Sequence, residues 1–417
     1  MAKLLAMMLL SASLSGAQAA PGTEQIVIGA SLPLTGSEAK AGARVRDGYQ
    51  LAVDEVMRAG GLKVGDQRLP VRLELLDDAT DKQRAAQLVG ELVQKRHANF
   101  LLGSFTSPLV EAQAAAADRL QVPYVAASGS AISIYQRGYR YVFSLSAPTG
   151  QMGNSLMRFV DDQQRAGKLG SPLRIAVAWE NTSHGKDYRA AILDYTGNTA
   201  VRRHDFQVVL DESFELKTKD FTPLLSRIKA AGADALLVDA HLEEYLAMQK
   251  QYLAMGMCHQ VLSYGARGPE KEARETLPHG GTDYVLSAVW WNAQLTSNPL
   301  SKAFVEAFRA KHGRMPEWYE ALAYEAARAL FQAIQRAGST DRDAVRDALA
   351  ALKIESILPG GYLAFPEQYG HQARYLFVVQ QNMPEGGAPI VYPRIAANQE
   401  GVVPNPRCGR AAASGAK

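Results

Sequence analysis

The chain has 417 residues, 45 of them basic and 42 acidic, for a formal net charge of +3. That near balance, without basic runs, argues against nucleic acid as a partner. The length exceeds the roughly 250–300 residues at which a single hydrophobic core stops growing, so two domains are expected.

In chain order, the first element reads as an export signal. Lys3 is the one charge ahead of an apolar run from Leu4 to Leu14, and Ala17-Gln18-Ala19 follows as a small-residue cleavage site. This is the pattern of a cleaved signal peptide over residues 1–19. The run falls short of the roughly 20 residues a bilayer span needs. No lipobox cysteine stands near the cut, so the mature chain should begin near Ala20 or Pro21 as a soluble, unanchored protein. Later apolar stretches such as Ala233 to Ala240 are strand-sized and interrupted by acids.

Beyond the signal, short apolar strands alternate with amphipathic helices. Gln25 to Gly29 reads as a strand and Ala43 to Ala59 as the helix after it, with Val45, Tyr49, Ala52, Val53 and Val56 at helical spacing. Strands follow at Val71 to Leu76, Phe100 to Gly103 and Val122 to Ala126, interleaved with helices at Lys82 to Arg96 and Pro108 to Leu120. The rhythm pauses from Phe143 to Pro148 and then restarts. Strands are read at Leu173 to Trp179, Gln207 to Leu210, Ala235 to Val238 and Gln260 to Ser263. Their helices are read at Gly185 to Tyr195, Phe221 to Ala231 and Glu243 to Met255. A segment beginning at Tyr284 to Ala288 leads into helices at Pro299 to His312, Trp318 to Ala337 and Asp341 to Lys353. Tyr362 to Phe365 and Arg374 to Gln380 resemble hairpin strands, and Asn382 to Lys417 reads mostly as loop and tail. The alternation specifies α/β architecture with parallel sheets, helices on both faces.

In open parallel sheets the ligand site lies outside the carboxyl ends of the strands. The loops there are Leu34 to Ser37, Ser104 to Ser107, Ser128 to Ser130, Asn181 to His184 and Ala240-His241. Gly103 to Pro108 delivers a strand to a helix N-terminus, where free N–H groups favour an anion. Ser107 there serves either as a donor to such an anion or as the cap of its own helix. Ser128 and Ser130, after the next strand, would open into the same crevice.

Catalytic signatures are missing. No Gly-x-Ser-x-Gly surrounds either serine, and no phosphate loop, dinucleotide fingerprint or His-Glu-x-x-His occurs. The eight histidines are scattered without ligand spacing, so neither metal nor cofactor is expected, and a binding protein is favoured over an enzyme. Acid pairs such as Asp77-Asp78 and Glu243-Glu244 read as solvated ends of elements. Cys258 and Cys408 either pair in an oxidising compartment or stand apart as one buried thiol and one tail thiol.

Several stretches together resemble the periplasmic branched-chain amino-acid (Leu/Ile/Val) binding proteins of ABC transporters. They are Ile26 to Gly36, Gly48 to Glu55 with Ala59-Gly60-Gly61, Leu75 to Asp78, and Lys219 to Lys229 with Gly232-Ala233-Asp234; the match runs in order from about Ile26 to Val379. The resemblance implies the type I periplasmic binding fold, two doubly wound parallel-sheet lobes joined by three crossovers. Lobe one would comprise 26–145 and 289–357, lobe two 146–288 and 358–400, and 401–417 a flexible tail. It also implies a monomer in the periplasm that captures an amino acid, an organic or aromatic acid, or an amide, and delivers it to ABC permease subunits. A ligand sensor of the same fold is the alternative.

The family's carboxylate-binding serine falls on Ser107, and the loop contacting the ligand's polar head falls on Ser128 and Ser130. Two second-lobe positions fall on His184 and His241, and a side-chain pocket position falls on Tyr319, with Trp318 as the alternative. Two positions depart from the family: a tyrosine is replaced by Ala41, and Gly265-Ala266-Arg267 lacks the acid that holds the ligand ammonium. Asp239 is the candidate substitute.

Overall fold

The computed structural model describes residues 25–200 and 205–408. The signal-peptide call on residues 1–19 and the tail beyond Cys408 lie outside them. The first unit runs β1 (Ile26–Leu32), α1 (Ala39–Arg58), a small hairpin of β2 (Leu62–Val64) and β3 (Gln67–Leu69), then β4 (Val71–Asp77) and α2 (Lys82–Gln94). It continues with β5 (Phe100–Leu102), α3 (Ser107–Arg119), β6 (Tyr124–Ala126), a short α4 (Ile132–Tyr135) and β7 (Val142–Ser144). Its sheet has the order β4-β1-β5-β6-β7, every pairing parallel. All seven residues of β1 are buried, as suits a strand covered by helices on both faces.

The second unit begins with α5 (Thr149–Arg165), followed by β8 (Leu173–Glu180), α6 (Ser183–Gly197), β9 (Phe206–Phe214) and α7 (Thr222–Ala231). Next come β10 (Ala235–Asp239), α8 (Leu242–Ala254), β11 (Val261–Tyr264), α9 (Lys271–Thr276) and β12 (Leu286–Val289). The chain then enters α10 (Pro299–His312), α11 (Trp318–Ala337) and α12 (Arg342–Ala350), pairs β13 (Lys353–Glu355) with β14 (Tyr362–Ala364), and ends in β15 (Val378–Gln381) and β16 (Ile390–Tyr392). The second sheet, β16-β15-β12-β11-β10-β8-β9, is parallel from β9 to β12 and antiparallel across β15 and β16.

The late helices return to the first unit. On α1, Gly48 faces α11 so closely that an added Cβ would lie 2.4 Å from the Glu320 carbonyl oxygen, so the crossing of α1 and α11 requires glycine there. Asn298 caps α10, accepting from the N–H groups of Leu300 and Ser301.

Several sequence expectations are corrected. The pause at Phe143 to Pro148 contains strand β7, and α5 follows it unannounced, although Met152, Leu156, Met157 and Val160 are buried at helical spacing. The strand expected at Gln207 to Leu210 runs on through Asp211, Glu212 and Ser213 to Phe214, because an edge strand need bury only part of its length. Tyr362 to Phe365 and Arg374 to Gln380 do not pair as a hairpin; β14 joins β13, and β15 joins β12 and β16. Cys258 and Cys408 form a disulfide with Cα atoms 5.4 Å apart. Residues 401–408 of the expected flexible tail are tied down further by Val402 N–H donating to Gln381 (2.7 Å) and Asn405 N–H donating to the Gln260 carbonyl (2.9 Å). Asp78 and Glu244, expected as solvated acids, are both buried.

Candidate functional site

The lobe-one side of the crevice is the β5–α3 loop, and a buried hydrogen-bond network fixes its shape. Tyr49 OH donates to the Gly103 carbonyl (2.7 Å), Ser104 N–H to Gln113 Oε1 (2.9 Å), and Ser104 Oγ to Asp78 Oδ2 (2.9 Å). Burial raises the Asp78 carboxyl to about 6 despite these bonds. The N-cap position of α3 is Thr106, and Ser107 is the first helical residue, with no side-chain cap bond. The reading of Ser107 as a cap is therefore corrected; its Oγ instead accepts from Ala131 N–H at 3.4 Å. Gly129, between Ser128 and Ser130, has φ +79°, and a Cβ there would lie 2.6 Å from Val110. Glycine thus lets the two serines turn past α3. Ser130 Oγ lies 2.7 Å from Thr149 Oγ1.

Lobe two contributes the ends of β8 and β10. Thr182 caps α6 by accepting from Gly185 N–H (3.2 Å) and donates to Glu180 Oε1 (2.8 Å). A Cβ on Gly185 would lie 2.0 Å from the Glu180 carbonyl oxygen, so glycine allows α6 to start hard against the end of β8. His184 Nδ1 then lies 2.7 Å from Asp239 Oδ2, and His241 Nδ1 lies 2.5 Å from Glu180 Oε2. The second contact is out of line for a good hydrogen bond, since His241 Nδ1 has no partner by geometry, and we read it as an ion pair.

Burial opposes the charge on His241, but the Glu180 and Glu38 carboxylates overcome it and raise the imidazole to about 9. Burial likewise opposes the charge on Glu180, which His241 holds down at about 2. His184 is raised against the cost of its burial by Asp239. Glu180, His184 and Asp239 also offer side-chain ligand atoms within 4.8 Å of one another, a spacing an ion could bridge; the histidine–carboxylate pairing already accounts for them.

These pieces meet in one chamber of about 30 Å³ between the lobes. Ser107, Ser128, Ser130, His184 and His241 all line it, with Phe105, Trp290 and Trp318 as aromatic walls. Tyr319 does not line it. It stacks behind Trp318, with ring centroids 3.8 Å apart, and donates to Glu270 Oε1 at 2.5 Å. Trp318, the alternative position, faces the chamber. Ala41 lines a neighbouring cavity with Arg44 and Glu270. Asp239 lines the chamber but is engaged by His184, and Arg267 reaches it from the segment that lacks an acid.

Sequence reasoning missed Glu180, Arg267 and Trp290. Glu180 had a signal, because it is the last residue of a strand whose following loop had been singled out. Trp290 stands on the crossover after β12, and its indole donates to the Ala147 carbonyl on the first crossover (2.9 Å).

Comparison with known proteins agrees with this architecture. A family model described as periplasmic binding protein matches residues 25–388. A Leu/Ile/Val-binding protein homolog 7 of Brucella abortus is 24% identical over 399 residues, covering 94% of this chain and 97% of the relative. Among solved structures, the branched-chain amino acid transporter substrate binding protein LivJ of Streptococcus pneumoniae, in complex with isoleucine, superposes with a TM-score of 0.74. It is 21% identical, and the match covers 89% of this chain and 100% of that one. A solute binding protein of an ABC transporter from R. palustris, in complex with benzoate, gives 0.73 at 20% identity, covering 91% and 99%. No helix among the described residues is long and apolar enough to cross a membrane. The chain belongs to the periplasmic binding protein family.

Proposed function

We propose that this chain is the solute receptor of an ABC transporter, exported by the signal peptide at 1–19 and working in the periplasm as a monomer. Residues 26–145 with 289–357 form one lobe, and 146–288 with 358–400 the other. Closure of the two around a small carboxylate produces the form that permease subunits engage. Ser107, Ser128 and Ser130 hold the carboxylate, His184 and His241 close on it from the other lobe, and Trp318 rather than Tyr319 packs against it. The ligand is captured and released unchanged.

The observation that carries this reading is that polar groups from both lobes converge on one chamber. A ligand touching both lobes binds the closed form more tightly than the open form, which is what closure by ligand requires. A thermal-shift screen of amino acids, amides, aliphatic acids and aromatic acids tests it. A ligand at 100 times its Kd should add about 2.7 kcal/mol of stability. A flat response across every carboxylate would contradict the proposal.

A further inference from the structure

The polar lining of the chamber is unequal: its imidazoles, guanidinium and indole donate, while its two carboxylates already face histidines. Lobe one brings Ser107, Ser128 and Ser130 to it, and lobe two His184, His241 and Arg267, whose guanidinium also pairs with Glu270 at 2.9 Å. Trp318, which lines this chamber and a neighbouring cavity, carries an indole N–H that is buried and without a hydrogen-bond partner, and an indole N–H can only donate. Two carboxylates line the chamber, and one oxygen of each faces a histidine, Glu180 Oε2 at 2.5 Å from His241 and Asp239 Oδ2 at 2.7 Å from His184, while Glu180 Oε1 accepts from Thr182. Glu38 stands 4.0 Å from the other ring nitrogen of His241 but opens on the neighbouring cavity.

An α-amino acid brings an ammonium with three protons to donate. Buried here it would share the chamber with the imidazolium of His241 and the guanidinium of Arg267, two like charges, and the acids within reach already face histidines. An uncompensated buried charge is among the most costly things a site can hold. An oxygen acceptor in the same place would be met by donors already in position.

We propose that the site selects small carboxylates that carry a second oxygen acceptor where an α-amino acid carries its ammonium, as in 2-oxo acids and short dicarboxylates. His184 and His241 set that preference. The inference rests on the receptor reading above and names its substrate class. With His184 Nδ1 bonded to Asp239, its Nε2 is the atom left for the ligand, the arrangement by which a carboxylate orients an imidazole, whereas His241 lies between Glu180 and Glu38 as a cation.

The charges facing His241 are Glu180, Glu38, Arg267 and His184; those facing His184 are Asp239, Glu180, His241 and Asp187. Their balance keeps His241 protonated up to about 9. Anion affinity should therefore hold through neutral pH and fall above that value.

Calorimetric titration of the full mature chain with matched probes tests the proposal: pyruvate against L-alanine, 2-oxoisovalerate against L-valine, and succinate against 4-aminobutyrate. At least one oxygen-bearing member should bind about tenfold or more tightly than its amine twin, a difference of about 1.4 kcal/mol. Which pair shows it separates oxo acids from dicarboxylates. The variant His184→Asn/His241→Asn, which frees both carboxylates, should narrow or reverse that ratio. The single variant His241→Gln gives the same readout if the double variant does not fold. Amine twins that bind as tightly as their partners would overturn the proposal while leaving the receptor reading intact. A ratio unchanged in a folded variant would overturn the role of the histidines. Absence of binding by every probe and by the wider acid screen would remove both readings together.

Discussion

At the scale of single residues, the site works by placing each polar group where the fold has already fixed its neighbours. Ser107 shows how function and stability separate. Its hydroxyl makes no cap bond to its own helix and only a long 3.4 Å contact with Ala131 N–H, so Ser107→Ala should lower the melting temperature of the unliganded protein only slightly. The same variant should weaken a carboxylate ligand by about tenfold or more, the loss expected for a hydrogen bond to a charged group, about 1.5–3 kcal/mol. Calorimetry and a melt on one sample read both, and a lowered melt with unchanged affinity would contradict the assignment. Ser107, Ser128, Ser130, His184 and His241 were legible in the sequence because each follows a strand end, where parallel sheets open their crevice. Glu180 and Arg267 were not. An acid at a strand terminus looks like solvated surface until its histidine partner is seen, and that partner is 61 positions away in the case of Glu180 and His241.

At the scale of elements, strand and helix order was largely legible because buried parallel strands are short apolar runs and their helices carry one apolar face. The failures share a cause, since edges and crossovers are set by partners distant in sequence. Strand β9 lies at the edge of its sheet and carries acids. At the opposite edge the sequence marks β15 as a strand but with the wrong partner, and β16 is a segment that looks like loop. The junction between α8 and β11 is where pH should act on the fold. There Tyr252 of α8 lies 2.8 Å from His259 Nδ1, beside the Cys258–Cys408 disulfide. Burial pushes His259 down from 6.5 to about 4, so it is neutral in the native chain. Because the unfolded state takes up the proton first, this contribution is complete above about 6.5 and is lost as pH falls toward 4, amounting to about 3 kcal/mol. His259→Gln keeps a polar partner for Tyr252 and should flatten the fall in melting temperature between pH 7 and 4 relative to the parent. An identical slope in the two proteins would show that this histidine does not carry the effect.

At the scale of the whole molecule, the lobes stand closed on one another. Arg44 on α1 pairs with Glu272 on α9 (2.6 Å), Ile132 N–H donates to Asp187 Oδ2 (2.7 Å), and Tyr319 donates to Glu270 (2.5 Å). These contacts cross the crevice, each joining a group of the first lobe to one of the second. They lower the cost of closure, and the ligand's contacts with both lobes supply the remaining bias. The two-lobed plan was legible from length and from the interrupted α/β rhythm, while the return of α10, α11 and α12 to the first lobe came only from the family resemblance. On the proposed function, a small carboxylate closes the lobes. Small-angle scattering of the mature chain, with and without a saturating carboxylate chosen by calorimetry, tests it most directly. The radius of gyration should fall on binding; an unchanged radius with the ligand bound would rule out closure by ligand.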